Sequence, residues 1–412
     1  MISSTPSRGA AMGALLSLAI GSFGIGMTEF VVMGLLPDIA RDLLPAVWDA
    51  DSEAAIARAG WLISLYALGV VIGAPTIAAT VAKYPRHRVM LALAAALTLF
   101  NALTFIAPTF ETVAISRLLA GLPHGAYFGI GALVASDVLG PGRRAQGVSF
   151  VLAGLTIANV VGVPAGTFLG QQFGWRVAFL GVAVIFAAAT VAVALFVPPH
   201  AGDASRTLRA ELGVFRIGQI WFTLALGAIG FGGFFAAYSY VASIVTEVAG
   251  APTWAVPIVL VLMGLGMTVG NLVGGRLADR DLRRTLLSGL AALVVVQAVL
   301  ALTSGWIVTL AVLVFAVGFT SSVLGPTIQT RLMDVAGDNQ SIAAALNHSA
   351  LNIGNSLGAF LGGVVIAAGF GFVAPIWVGV LLATGGLAIA TLSFAVERRH
   401  ASADLRRITQ AV

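Results

Sequence analysis

Glu29 is a carboxylate set deep in an apolar run, the one acidic residue of the chain so placed. Holding such a group inside a bilayer costs roughly 2.5–3.5 kcal/mol, so it normally faces a watery cavity or a partner. It lies about seven residues, or ~10 Å along a helix, below the outer end of its run. Arg117 lies about six residues into another run, entered from the same side, which puts the two charges level. Two chemistries follow. Glu29 either exchanges a proton with a substrate, or forms a fixed ion pair with Arg117 that positions two helices. Arg117, Gly121, His124 and Gly125 fall at i, i+4, i+7 and i+8, one helix face, where the glycines admit a close neighbour. His124 titrates in the range a proton relay needs, or simply hydrogen-bonds across a helix pair. His348, Asn352 and Asn355 share one side of a further run; they either bond neighbouring helices or line a cavity. Phe231, Phe234, Phe235, Tyr238 and Tyr240 crowd one Gly-rich run; they are lipid-facing or core, or a discontinuous helix there makes a mobile apolar wall, with Tyr238 the leading contact residue. The cavity lining expected from these groups is Tyr127, Phe234, Tyr238, His348 and Asn352.

The elements that must carry these residues are membrane helices. Of 412 residues, 59% are hydrophobic and 9% charged, against roughly 25% charged in soluble domains. Apolar stretches long enough to cross a ~30 Å hydrocarbon core run over 10–36, 59–82, 89–107, 111–136, 146–170 and 176–197. A second set covers 218–246, 254–278, 285–303, 306–332, 341–368 and 373–395. The first run is too long for the core of a cleavable signal and reads as a span. Lys83, Arg86, Arg88, Arg143, Arg144, Arg206, Arg209, Arg216, Arg280, Arg283, Arg284, Arg398, Arg399, Arg406 and Arg407 fall on one side if the N-terminus is cytoplasmic. The other side keeps Arg41, Arg58 and Arg176, with an acidic loop holding Asp38, Asp42, Asp49, Asp51 and Glu53. Both termini are therefore expected to be cytoplasmic. The division is 1–197 as an N-terminal six-helix bundle, 198–217 as a cytoplasmic linker, 218–396 as a C-terminal six-helix bundle and 397–412 as a cytoplasmic tail.

The two halves repeat. Gly275-Arg-Leu-Ala-Asp279-Arg280-Asp-Leu-Arg283-Arg284 has a worn copy at 79–88, with Lys83 where Asp279 stands. Ahead of each copy lies a small-residue face, Gly69 and Gly73 in one half, Gly266 and Gly270 in the other. Asn159, Gly162 and Gly166 fall opposite Asn355, Gly358 and Gly362. A duplicated bundle at a matched offset is the pattern of a transporter. The absence of cysteine excludes thiol catalysis, disulfides and cysteine metal sites. The histidines have no metal-ligand spacing, and the basic residues sit in breaks between spans, with no nucleic-acid-binding face.

Twelve spans, a 6+6 repeat and the Gly-x-Leu-Ala-Asp-Arg loop together resemble the major facilitator superfamily. Within it, the chain is similar to the drug:proton antiporter branch, close to bacterial arabinose-efflux and chloramphenicol-efflux permeases. Met27-Thr-Glu29-Phe, Leu36-Pro37-Asp38-Ile39, Gly73-Ala-Pro75, Arg117-x-x-x-Gly121-x-Pro123-His124-Gly125-Ala126, Gly162-Val-Pro164-Ala-Gly166 and Ala345-Leu-Asn347-His348-Ser-Ala-Leu-Asn352 carry the likeness. It implies that the Arg117 face lines the cavity and takes part in proton transfer, so that Glu29, Arg117 and His124 form the expected proton-coupling set. It also makes Asp279, Arg280, Arg283 and Arg284 a conformational latch, against the alternative of plain positive-inside topology, and Gly121, Gly125, Gly162, Pro164 and Gly166 helix-packing positions. Lys83 in place of the family's acidic residue, and Val163 in place of a glycine, are departures.

The expectation is an all-α inner-membrane transporter with two pseudo-symmetric bundles. It would export a small amphipathic compound, drug or sugar in exchange for protons by alternating access. Its partners would be that small molecule, protons and the lipid bilayer, with no nucleic acid and no cofactor, and it would work as a monomer. The rivals are a proton-independent facilitator or importer of the same fold, a membrane-embedded enzyme and a channel.

Overall fold

The computed structural model describes residues 8–81, 84–140, 144–199, 215–336 and 340–411 as helices and connecting turns, with no strand among them. Lys83, Arg143, Arg206, Arg209 and most of the expected linker lie outside the described residues. The first half comprises α1 (Arg8–Leu43), α2 (Pro45–Ala50), α3 (Ser52–Ala59), α4 (Trp61–Val81), α5 (Arg86–Ile106), α6 (Phe110–Leu139), α7 (Arg144–Ile157), α8 (Val163–Phe173) and α9 (Trp175–Phe196). The second comprises α10 (Gly218–Tyr238), α11 (Ala255–Thr303), α12 (Ile307–Ala336), α13 (Gln340–Val365) and α14 (Ala374–Ala411). Among the described residues, eleven stretches are long and apolar enough to cross a membrane. The 49-residue α11 contains one extended residue, Asp281, and so makes two crossings, which brings the total to twelve. The Asp281 side chain accepts from the Arg284 amide at 2.9 Å, capping the second half of α11 and fixing this very tight hairpin.

Three departures from the expected boundaries have local causes. α1 runs on to Leu43, with Pro37 inside it, where 36 was expected; Pro37 removes one backbone donor without ending the helix. The expected acidic loop that follows is largely helical. Pro45 starts α2, as proline's fixed φ suits a first helical turn, and the Asp51 side chain caps α3 by accepting from the Ala54 amide at 3.0 Å. At the other end of the chain, α14 continues unbroken through residue 396 into the stretch expected to be tail. α7 joins α8 through a wide turn at Ala158–Gly162. Pro164 sits just past it; without an N–H, and with a ring that crowds the carbonyl four residues back, it favours such a widening.

The repeat read from the sequence is a repeat of contacts. Gly69 and Gly73 of α4 lie against the backbone of α6 at Leu118 and Leu122, while Gly266 and Gly270 of α11 lie against α12 at Phe315 and Phe319. Gly162 and Gly166 face Phe23, Met27 and Val31 of α1; Gly358 and Gly362 face Gly232, Phe235 and Tyr240 in and after α10. Lipid tails are as apolar as the side chains, so close van der Waals packing, rather than water exclusion, holds such pairs together.

A Cβ on Gly121 would overlap the Tyr66 carbonyl oxygen, whereas one on Gly129 of the same helix would meet nothing within 4 Å. Gly121→Val is expected to cost at least about 1–3 kcal/mol through overpacking. Thermal unfolding in detergent should show a lowered midpoint for Gly121→Val and an unchanged one for Gly129→Ala.

Candidate functional site

Midway along the helices a file of polar and aromatic side chains runs from one half to the other. Glu29 of α1 is buried, and its Oε1 accepts from the Asn355 Nδ2 of α13 at 3.0 Å. Its neighbour Thr28 accepts from Arg117 Nη1 of α6 at 2.9 Å and donates to Asn101 Oδ1 of α5 at 2.6 Å. The Asn101 amide in turn donates to the Leu97 carbonyl, so its side chain is locked. Arg117 is fully buried, and its guanidinium lies 4.2 Å from the Tyr66 ring centre and 5.4 Å from that of Phe179. Aromatic faces and one hydroxyl thus surround the guanidinium, and the fixed ion pair with Glu29, one of the two readings of the sequence, is not formed. Nε and Nη2 of Arg117 have no hydrogen-bond partner among the described residues.

The Tyr66 hydroxyl meets Nδ1 of His124 at 3.1 Å. His124 packs on Phe128, whose ring stacks almost parallel on His348 of α13, centres 5.4 Å apart and planes 2° from parallel. Glu29, Arg117, His124 and His348 are therefore brought together, with Thr28, Tyr66, Asn101, Phe128 and Asn355 as the links between them. Sequence reasoning had not singled out Thr28, Tyr66, Asn101 or Phe128. Tyr66 was within reach, since it precedes Gly69 and Gly73 by three and seven residues and so shares their face toward α6.

The remaining candidates are placed as follows. Phe234 and Tyr238 are buried, with Phe30 of α1 5.7 Å from Tyr238 and 6.4 Å from Phe235, so the aromatic cluster of α10 abuts the helix that carries Glu29. α10 is unbroken up to Tyr238, and its glycines serve packing: Gly230 and Gly233 approach α14 at Gly386 and Gly379. Asn352 donates to the His348 carbonyl of its own helix at 3.0 Å, and its Oδ1 is unpartnered. Tyr127 sits apart, inside the first half, its hydroxyl donating to the Leu18 carbonyl at 3.3 Å and crowding Gly21. Gly125 lies against Ala74 of α4, which seats His124 beside Tyr66. At the inner end of the molecule Asp279 and Arg280 are exposed. Arg283 lies over Phe394 at 5.3 Å, and Arg284 pairs with Asp281 at 3.1 Å. Asp279 makes no hydrogen bond or ion pair among the described residues. No cluster of metal-binding side chains occurs among them either.

Twelve crossings in two like bundles, meeting at a shared polar file, are the architecture of a membrane transporter built from repeats. A family model described as Major Facilitator Superfamily matches residues 18–280 and 255–410. The chain belongs to that superfamily: a multi-pass transporter of the bacterial inner membrane, and not an enzyme. It is 37% identical over 358 residues to "Inner membrane transport protein YdhP" of Escherichia coli, covering 87% of this chain and 90% of that one. It is 34% identical to "Putative transporter AraJ" of the same organism (87% and 89% covered). It is 30% identical to "Chloramphenicol resistance protein" of Streptomyces lividans (95% and 98% covered). These relatives fit the drug:proton antiporter branch that its motifs resemble. Among solved structures, the D-xylose–proton symporter shares the fold, with a TM-score of 0.72 at 16% identity over 93% of this chain and 97% of that one.

Thr28→Val removes one hydroxyl at nearly constant shape and strips a partner from both Arg117 and Asn101. A cost of about 1–3 kcal/mol per buried group left unpaired, more for the charged one, is expected. Thermal unfolding should show Thr28→Val well below the wild type, and Thr98→Val, half-buried on the same helix as Asn101, much closer to it.

Proposed function

We propose that this protein exports a small amphipathic compound, drug or sugar across the inner membrane in exchange for protons. Glu29 is the proton carrier, and each chain works alone because both halves of the pathway lie in one polypeptide. The observation that carries this reading is the position of Glu29: a buried carboxylate where the two halves meet, bonded to a residue of the opposite half. An acid that only braced the first half would be satisfied within it. Arg117 is held one residue away through Thr28, close enough for its charge to follow that of Glu29. His124, reached through Tyr66, offers the next titratable position along the file. Phe30, Phe234, Phe235 and Tyr238 supply the apolar wall that an amphipathic substrate needs. Export, rather than uptake, is favoured by the relative that is named for chloramphenicol resistance.

The decisive assay is proton flux in liposomes loaded with a pH dye, with chloramphenicol, ethidium or arabinose added under an imposed gradient. Substrate-triggered proton movement is expected, and Glu29→Gln should abolish it in a protein that still folds. Transport indifferent to the proton gradient would make the protein a facilitator and leave Glu29 a structural residue.

Asp279 is the second element of the reading. The halves touch on the outer side, and in this state Asp279 at the inner end is unengaged, as a latch that closes only when the inner side does. Asp279→Asn is expected to lower the turnover rate several-fold with little change in substrate KM; a large rise in KM at normal turnover would remove the latch.

A further inference from the structure

Among the described residues, several contacts tie the halves together along the outer part of the molecule, and four of them involve polar side chains named below. Ser64 of α4 and Ser356 of α13 exchange hydrogen bonds, each hydroxyl donating to the other's carbonyl, at 3.2 and 3.1 Å. Tyr240, whose hydroxyl donates to the Ala359 carbonyl at 2.7 Å, is seated against Gly60 of the first half. Gln171 of α8 donates to the Thr253 carbonyl at 3.1 Å. The fourth is Asn355 to Glu29, one residue inward of the serine pair on α13. Of the hydrogen bonds among the described residues that cross between the halves, it is the one that ends on an ionisable side chain.

We propose that Asn355 is the positioning residue through which the charge on Glu29 controls the outer closure. This rests on the reading of Glu29 as the proton carrier. The physical basis is the strength of one bond. An amide N–H donated to a carboxylate is charge-assisted and roughly twice as strong as the same bond to a neutral acceptor. With Glu29 ionised, Asn355 is pulled toward α1 and Ser356, the next residue, is held in register with Ser64. With Glu29 protonated, that pull weakens and the seam between α4 and α13 parts more readily. Proton uptake at Glu29 thereby favours opening to the outside, and proton loss favours the outer-closed form seen here.

The groups facing Glu29 are few. Arg117 approaches from α6, and the Tyr66 and Tyr238 hydroxyls from α4 and α10. α13 presents the neutral Asn355 amide to it. The 158–162 turn and α8, which pack on the same helix, contain no titratable side chain, and Arg176 at the start of α9 is engaged by Asp42 at the outer surface. Among these, only Asn355 belongs to a helix of the outer seam and also bonds the carboxylate directly, so the charge has one hydrogen-bonded route to the closure.

The chain has no cysteine, so spin labels can be placed with no background. Ser52→Cys on α3 and Ala368→Cys beyond α13 are exposed positions on opposite halves at the outer end. Their separation is measured by pulsed electron resonance in lipid nanodiscs between about pH 5 and 8. In the otherwise native protein, the long-distance, outer-open population should grow as pH falls. Glu29→Gln, neutral at every pH, should hold that population high and flat. Asn355→Ala, and Asn355→Ser should the first fold poorly, should flatten the pH response in the same way. Ser356→Ala should raise the open population at every pH and keep the slope. A pH slope retained in both Asn355 variants but lost in Glu29→Gln overturns the role of Asn355 alone. A slope that survives Glu29→Gln, or is absent from the native protein, overturns the reading of Glu29 and this inference with it.

Discussion

The structure depends on backbone approaching backbone. A helix in a bilayer gains nothing by hiding apolar side chains from lipid, so two helices associate only where they fit. Here the fit is made by glycine. α4 meets α6 at Gly69, Gly73 and Gly121, and α11 meets α12 at Gly266, Gly270 and Gly274, in each case with no room for a side chain. These two tight pairs, one per half, act as rigid boards against which the other helices are set. The remaining contacts follow the same pairing in both halves: α1 with α7, α8 and α9, α10 with α13 and α14. The halves then meet along equivalent lines, α4 against α13 and α11 against the α7–α8 segment.

That rigidity is what allows the polar file to exist. Arg117 projects from the α6 side of a glycine-tight pair, and Tyr66 projects from α4 across the same contact. The guanidinium is thereby held 4.2 Å from the Tyr66 ring without a carboxylate to fix it. A cation buried between aromatic faces, with two of its donors unpartnered, is an expensive arrangement, tolerated only because the surrounding helices cannot close around it. The unpartnered acceptors of Asn352 and Asn355 have the same origin.

Much of this was legible in the residues. The matched offsets of Gly69 with Gly266, and of Gly162 with Gly358, marked out contacts that the structure builds twice. Glu29 and Arg117 were correctly placed at one level and His124 on the arginine face. What escaped was everything that depends on one half lying against the other. Asn355 was read as bonding a neighbouring helix or lining a cavity, but its partner was out of reach, since the bond to Glu29 joins positions 326 residues apart and no local periodicity encodes how two bundles dock. Tyr127 shows a finer limit. At ~100° per residue, His124 lies within about 20° of Arg117 around α6, while Tyr127 is turned by about 80°. It points into the first half, beside Gly21. The helical ends at residues 37–59 were missed for another reason: short helices built by a proline start and an aspartate cap carry almost no apolar periodicity.

The serine pair has a property that the other seam contacts lack. Each serine gives one bond to its partner's carbonyl and receives one on its own, so both bonds span the same short stretch of the seam and are lost when the helices separate. Nor is either serine stranded afterwards, because a hydroxyl within a helix can turn back to a carbonyl of its own preceding turn. Ser64 has that alternative on α4 and Ser356 has it on α13. Opening the seam at this point therefore leaves neither hydroxyl unpaired, and the contact adds little cost to the parted form.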